Sequence, residues 1–160
     1  MSVQFGEKLG WQTELTANDT SPKEMLGIRR IELGDGGRKV YVYVKNAEES
    51  AALSAGHVVK WDDASSGAVK KASAAGDLLA GVAIGDITAG NYGWVQVFGL
   101  ATVKTAASTA AGDAVIASST SGVGGRAEKG KDATNNQVLG WATDTRDTDG
   151  GTNTVFLVLA

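Results

Sequence analysis

Chemistry at neutral pH usually runs on histidines, thiols, paired carboxylates or bound metals, and this sequence is thin in such groups. It has no cysteine and one histidine. That excludes a disulfide scaffold, a thiolate metal site, a cysteine nucleophile and a multi-histidine metal cage. His57 opens an expected strand after Gly56, and no Gly-x-Ser-x-Gly elbow accompanies it. A triad is a spatial arrangement and stays open at this point; the expectation for His57 is a structural or surface role. Gly125-Arg-Ala-Glu-Lys-Gly130-Lys131-Asp132 approaches a phosphate loop. Asp132, however, stands where the Mg²⁺-holding Ser or Thr belongs, and the strand before and helix after are missing. Gly122-Val-Gly124-Gly-Arg-Ala127 matches the dinucleotide pattern in letters and fails the same context. Asp144, Asp147 and Asp149 before Gly150-Gly151 resemble a calcium loop. Counted from Asp147, Thr152 and Val158 fall where glycine and glutamate are needed, so a tight turn is expected. Trp11, Trp61, Trp94 and Trp141 could stack sugars, but three of them lie in expected strands, where core or interface aromatics sit. The residues therefore predict no catalytic site, no cofactor site and no metal site.

Composition bounds the rest. A chain of 160 residues with 42% hydrophobic residues can bury the core of one domain. It has 22 glycines and one proline, so the glycines mark turns and not a collagen or a proline-rich linker. The charge balance, 15 basic against 18 acidic residues, leaves a net −3, which is no nucleic-acid footprint. Lys70 with Lys71, and Arg126 with Lys129 and Lys131, read as solvated loops. No stretch approaches the roughly 18 apolar residues of a membrane span. The opening Met-Ser-Val-Gln-Phe-Gly-Glu-Lys lacks the apolar region of a secretory signal. Together these predict a soluble protein kept in a reducing compartment, with neither nucleic acid nor membrane as partner.

Two unequal parts are expected. Residues 1–37 are polar, glycine-punctuated and weakly periodic, and read as an N-terminal arm that lies on something else. Its anchors would be Trp11, Leu15, Met25, Leu26 and Ile28; the alternative is a loosely packed edge of the same domain. Ser21-Pro22-Lys23-Glu24 could begin a single helical turn, stopped by Gly27. Residues 38–160 read as a β domain. Lys39 to Lys45 alternates valines with tyrosines, and with both faces partly apolar both are expected to be covered. Asp35-Gly36-Gly37 predicts a hairpin turn joining it to Ile28–Leu33. Further strands are expected at His57–Trp61, Ala68–Ala72, Leu79–Ile84, Trp94–Phe98, Leu100–Lys104, Ala114–Ala117, Val138–Ala142 and Val155–Leu159. Many short strands at close spacing predict an all-β fold, a compact β-barrel or sandwich with an extended N-terminal arm. Only Asn46 to Gly56 carries helix signals, with Asn46 as cap, Glu49 at the capping-box place and Gly56 as stop. A faint duplication runs through the domain. Ala55-Gly56-His57-Val58-Val59 and Ala111-Gly112-Asp113-Ala114-Val115 each lead through a polar turn to Leu79-Ala-Gly-Val-Ala83 and Leu139-Gly-Trp-Ala142. Gly81 and Gly140 would sit where strands bulge or cross closely.

The order of an arm, Leu26-Gly-Ile-Arg-Arg30, a glycine turn and Tyr41-Val-Tyr-Val-Lys45-Asn46 resembles the small capsid decoration (cement) proteins of tailed bacteriophages. Ala55-Gly-His-Val-Val-Lys-Trp61, Gly93-Trp-Val-Gln-Val-Phe-Gly99 and Ala111-Gly-Asp-Ala-Val115 are similar too. The resemblance covers most of the chain from about Leu26. It implies a β-rich protein, usually a homotrimer, bound to the major capsid protein on the outside of the virion, assembled in the bacterial cytoplasm and stabilising the shell without catalysis. Its partner-binding arm would use Trp11, Leu15, Met25 and Leu26. Rival readings are a receptor- or glycan-binding module of a fibre, a trimeric β-barrel nucleotide hydrolase, and a main shell or tail-tube subunit. The hydrolase would need a phosphate-binding Ser/Arg cluster that the sequence lacks, and a main shell protein would need a long helix.

Overall fold

The computed structural model describes residues 10–119, 124–130, 137–145 and 151–159. Lys131 and Asp132 of the near phosphate loop, Gly122 and Val123 of the near dinucleotide motif, and Asp147 and Asp149 of the acidic turn lie outside them. The fold is all-β. Its strands are β1 (Arg29–Gly34), β2 (Gly37–Asn46), β3 (Val58–Asp63), β4 (Ala68–Lys71), β5 (Leu79–Ala83), β6 (Tyr92–Lys104), β7 (Ala114–Ala117), β8 (Ala127–Lys129), β9 (Val138–Ala142) and β10 (Thr152–Val158).

One sheet, in the order β1-β2-β4-β3-β5-β6-β10-β9-β7-β8, closes on itself twice. The first half of β6 returns to β2, pairing Tyr43 with Trp94 and Lys45 with Tyr92, which closes a ring of β2, β4, β3, β5 and β6. The second half of β6 pairs with β10, and a parallel bridge from Thr105 to Ala127 brings β8 back beside it. Each ring holds its own core. Val40, Val42, Val44, Val59, Val69, Val95 and Val97 fill the first; Val103, Val115, Leu139, Val155 and Leu157 fill the second, with Val58 and Val82. Strand β5 lies between the two, so Leu79 and Val82 face one core while Ala80 and Ala83 face the other. That position explains why Leu-Ala-Gly-Val-Ala is buried throughout and reads as an unbroken apolar run.

The β3-β4-β5 and β7-β8-β9 segments are wired alike. In each, the first strand lies in the middle, antiparallel to the other two. Val59 pairs with Gly81 and the register then slips, as it does where Val115 pairs with Gly140. Gly56 and Gly112 open the two units with φ of 87° and 88°. The Gly56 N–H donates to Ala83 O and the Ala83 N–H to His57 O; Gly112, Ala142 and Asp113 repeat the pattern. At the two register slips the neighbouring strand comes so close that a side chain would not fit. A Cβ on Gly81 would lie 2.7 Å from Gln96 O, and one on Gly140 would run into Phe156 O.

Three expectations are corrected. Residues 46–56 form no helix. Asn46 instead ends β2, donating its side-chain amide to Ala51 O at 3.0 Å and Ile87 O at 2.8 Å, and accepting the Glu48 N–H at 3.0 Å. The side chain that would have capped a helix is committed to the ring interior, and Gly56 serves the next turn. Ser21–Glu24 forms no helical turn either, and Glu24 instead accepts the Gln12 N–H, twelve residues back. The two strands expected at Trp94–Phe98 and Leu100–Lys104 are one strand that turns through Gly99. There φ is +91°, and a Cβ would strike the Arg38 carbonyl oxygen. Gln96 straps this point, donating its amide to Phe98 O at 3.0 Å and Leu100 O at 2.9 Å.

Gly90 offers a matched control, because its φ is +80° and a Cβ there would meet nothing within 4 Å. Gly90→Ala should cost only the left-handed backbone term, roughly 1–2 kcal/mol. Gly99→Ala adds the collision with Arg38 and should cost about 3 kcal/mol or more in urea unfolding. Equal losses in the two variants would rule out close approach as the reason for Gly99.

Candidate functional site

Three surface features have the density of interactions expected of a functional site. The first is the aromatic face beneath residues 10–28. The tyrosines of β2 point away from the valine core, and Tyr43 meets Trp94 with ring centroids 5.1 Å apart. Trp11 stands edge-on to Trp94 at 5.3 Å, and the Arg30 guanidinium lies over both indoles. Leu15, Leu26 and Ile28 pack on the same cluster. Asp19 fixes the segment: its backbone exchanges two hydrogen bonds with Tyr92, and its carboxylate accepts the Tyr43 hydroxyl at 2.7 Å and the Thr13 hydroxyl at 2.6 Å. Burial, reinforced by Asp19, pushes the Tyr43 hydroxyl pKa well above its ordinary value, so it stays a donor. Of the five residues expected to anchor the arm, Trp11, Leu15, Leu26 and Ile28 are half-buried on this face. Met25 points outward, 73% exposed.

The second feature is a row of apolar side chains across five strands, buried at Val40 on β2 and exposed toward its ends. Ile31 sits opposite Val40, and Val40 opposite Phe98. The Phe98 and Phe156 rings meet edge-to-face at 5.3 Å, and Phe156 lies opposite both Leu100 and Trp141. Ile31 is 56% exposed, Leu33 83% and Trp141 46%. Arg38 lies over Phe98 at 5.6 Å, so the band has a basic rim. Beside it opens a groove of about 490 Å³, with Leu15, Tyr41, Ile84 and Leu100 in its lining. The sequence singled out Trp141 only as one of four possible sugar-stacking rings. Its neighbour Phe156, and Leu100 beyond it, carry no sequence signal, because the band exists only once strands distant in sequence are paired.

The third feature is the turn at His57. His57 Nδ1 accepts the Ser54 N–H at 2.9 Å, the job that Asp113 Oδ2 does for the Ala110 N–H at 2.8 Å in the second unit. His57 thus stands where the other copy has an aspartate. Burial, then the charges of Lys104, Lys71 and Arg126, lower its pKa to about 4. Of the basic residues read as solvated loops, Lys70 pairs with Asp62 and Lys129 with Asp113, whereas the charges of Lys71 and Arg126 act on His57. Among the described residues, no three His, Asp or Glu side chains meet as a metal cage would require. Asp144 hydrogen-bonds locally, its side chain to Thr145 N and its carbonyl to the Asn153 amide.

No family model matches the chain, and no curated protein does. Its fold is similar to the crystal structure of the N base of head fiber gp8.5 of bacteriophage phi29. That likeness has a TM-score of 0.53 and 17% identity, and covers 76% of this chain and 96% of the other. At that identity the likeness is one of fold.

The His57 geometry sets a pH dependence. Its folded pKa lies below the ordinary 6.5, so protons favour the unfolded chain. The stability it supports is complete above about pH 6.5 and is lost as pH falls toward 4. Thermal melts should therefore show the wild type losing several degrees relative to His57→Gln over that window. His57→Asp should restore the turn as Asp113 makes it, adding about 1 kcal/mol at pH 7 from a hydrogen bond to a charged acceptor. Parallel pH profiles for wild type and His57→Gln would contradict this account.

Proposed function

We propose that the chain is a structural protein of a phage head, seated on the outside of the shell as a homotrimer, and that it carries out no catalysis. The observation that carries this reading is the apolar band from Leu33 to Trp141. Exposed large apolar side chains gathered along neighbouring strands mark a place where another protein sits. The basic rim at Arg38 and Lys39 suits an acidic partner surface, and the net charge of −3 disfavours DNA as that partner. The similarity to a head fiber base supports the phage-head setting. The capsid protein is the proposed partner of the N-terminal segment. There Met25 is the outward contact, while Trp11, Leu15 and Leu26 hold the segment in place. Phi29 gp8.5 is a head fiber, which favours one second reading: a base that carries a receptor-binding module.

Native mass measurement should give three times the 16.4 kDa of one chain, free or after mixing with empty shells. A monomer in both states removes the trimer. Leu33→Asp and Met25→Asp alter exposed side chains, so each should change stability by less than about 0.5 kcal/mol. Both should nonetheless lower shell occupancy at least tenfold in a pelleting assay, and full occupancy by both variants would sink the shell-binding reading. Binding to intact host cells in the absence of shells would favour the receptor reading.

A further inference from the structure

We infer that the turn at His57 is a binding site for an oxyanion, a carboxylate or a phosphate group. A backbone donor fixes the His57 tautomer. His57 Nδ1 accepts the Ser54 N–H, so in the neutral imidazole the ring proton is on Nε2, which is a donor. The Lys104 ammonium stands 3.5 Å from that same Nε2 and is also a donor. Two donors at this spacing cannot satisfy each other, whereas one oxygen placed between them would accept from both. Lys104 is held there: its N–H donates to Gly56 O at 2.9 Å, and its side-chain stem crosses Gly56. Lys71 lies opposite Val59 in the β3–β4 pair, and Arg126 follows Gly125, whose backbone rests on the imidazole. A Cβ on Gly125 would lie 3.1 Å from ring atoms Cγ and Cδ2, so a side chain there would press on the imidazole.

The charge inventory is one-sided. Lys60, Lys70 and Lys129 each have an aspartate partner, Asp77, Asp62 and Asp113 respectively. The Lys71, Lys104 and Arg126 side chains make no ion pair among the described residues, although Glu48 accepts the Lys71 backbone N–H at 2.8 Å. Asp86 acts on His57 with the opposite sign, and one of its carboxylate oxygens accepts the Ala55 N–H at 3.3 Å. The second unit shows what such a turn can hold. There the Asp113 carboxylate accepts the Ala110 N–H and the Lys129 ammonium, at 2.8 Å each. In the first unit a neutral ring replaces the carboxylate while the surrounding cations remain. Among the described residues the position thus holds more cationic than anionic groups, and an oxyanion from outside the chain would be accepted there.

The chain has one histidine, so its imidazole gives a single set of NMR signals. His57 would be titrated in sodium chloride, sodium phosphate and sodium acetate at equal ionic strength. A bound anion favours the protonated ring, so the midpoint in phosphate or acetate should rise by about one unit above that in chloride. Lys104→Met should cut this anion-specific rise at least fivefold, with Lys71→Met as the second variant should the first misfold. A rise in phosphate alone assigns a phosphate ligand. A rise in acetate assigns a carboxylate, such as an Asp or Glu side chain of a neighbouring protein. Equal midpoints in all three salts, or an undiminished rise in a folded variant, would overturn the site.

Discussion

Strand β6 serves two barrels, and the rest of the fold follows from how it does so. A strand shows alternate residues to opposite faces, so one that lines one core and then another must rotate partway along. Here the rotation is concentrated between Val97 and Leu100. A register slip opposite Val40 and Tyr41 admits an extra residue, and Gly99 then takes a φ of +91° against the Arg38 carbonyl. Bulges leave backbone groups unpaired, and buried ones are expensive. Gln96, 3% exposed, meets that cost by donating to Phe98 O and Leu100 O. One polar side chain in an apolar strand thus makes the crossing possible. The same crossing brings Phe98 and Leu100 to the surface beside Phe156, so the apolar band is a by-product of the joint between the barrels.

The two units show what their shared wiring requires and what it leaves free. Gly81 and Gly140 occupy corresponding slips because the next strand's carbonyl occupies the space of any side chain. Gly56 and Gly112 share a left-handed conformation and the same backbone bonds. These are steric requirements, and no alternative residue meets them at low cost. The residue after each glycine needs only an acceptor for the N–H three positions earlier. An imidazole nitrogen and a carboxylate both serve, so this position could change its charge without changing the turn. Difference in chemistry on a common backbone is therefore seated at His57 and Asp113.

The strands were legible because their patterns are local. Lys39 to Lys45 alternates cleanly, and both of its faces are covered, valines by the barrel core and tyrosines by the segment around Trp11. The all-β class followed from the spacing of such runs. What escaped was set by distant partners. Strand β8, Ala-Glu-Lys, is too short to show a period and exists because Val115 to Ala117 lies beside it. The helix signals at Asn46 and Glu49 were real local preferences, overridden when the Asn46 amide found Ile87 O, 41 residues on. Asp19 looked like one more polar residue, and its grip on Tyr43 and Tyr92 appears only in three dimensions. His57 read as isolated because Lys71, Lys104 and Arg126 come from three different strands or turns.

The energetics of the band bear on how a shell-seated protein of this kind would be held. Covering a large side chain fully is worth roughly 1.5–3 kcal/mol, and the residues of the band are already partly covered, so each adds less. Association costs roughly 4–15 kcal/mol in lost translation and rotation, with further losses for ordering side chains. A handful of half-exposed residues such as Ile31, Leu33 and Trp141 therefore yields a weak contact for one copy alone. On the reading proposed above, three copies joined as a trimer present three bands and three Met25 side chains to neighbouring sites. Once the first copy is seated, the second and third bind as intramolecular events, and avidity gains of roughly 10²–10⁴ are then within reach without any new contact. Weak contacts multiplied by symmetry tolerate small differences between the sites of a shell, where a single tight contact would demand that each be identical.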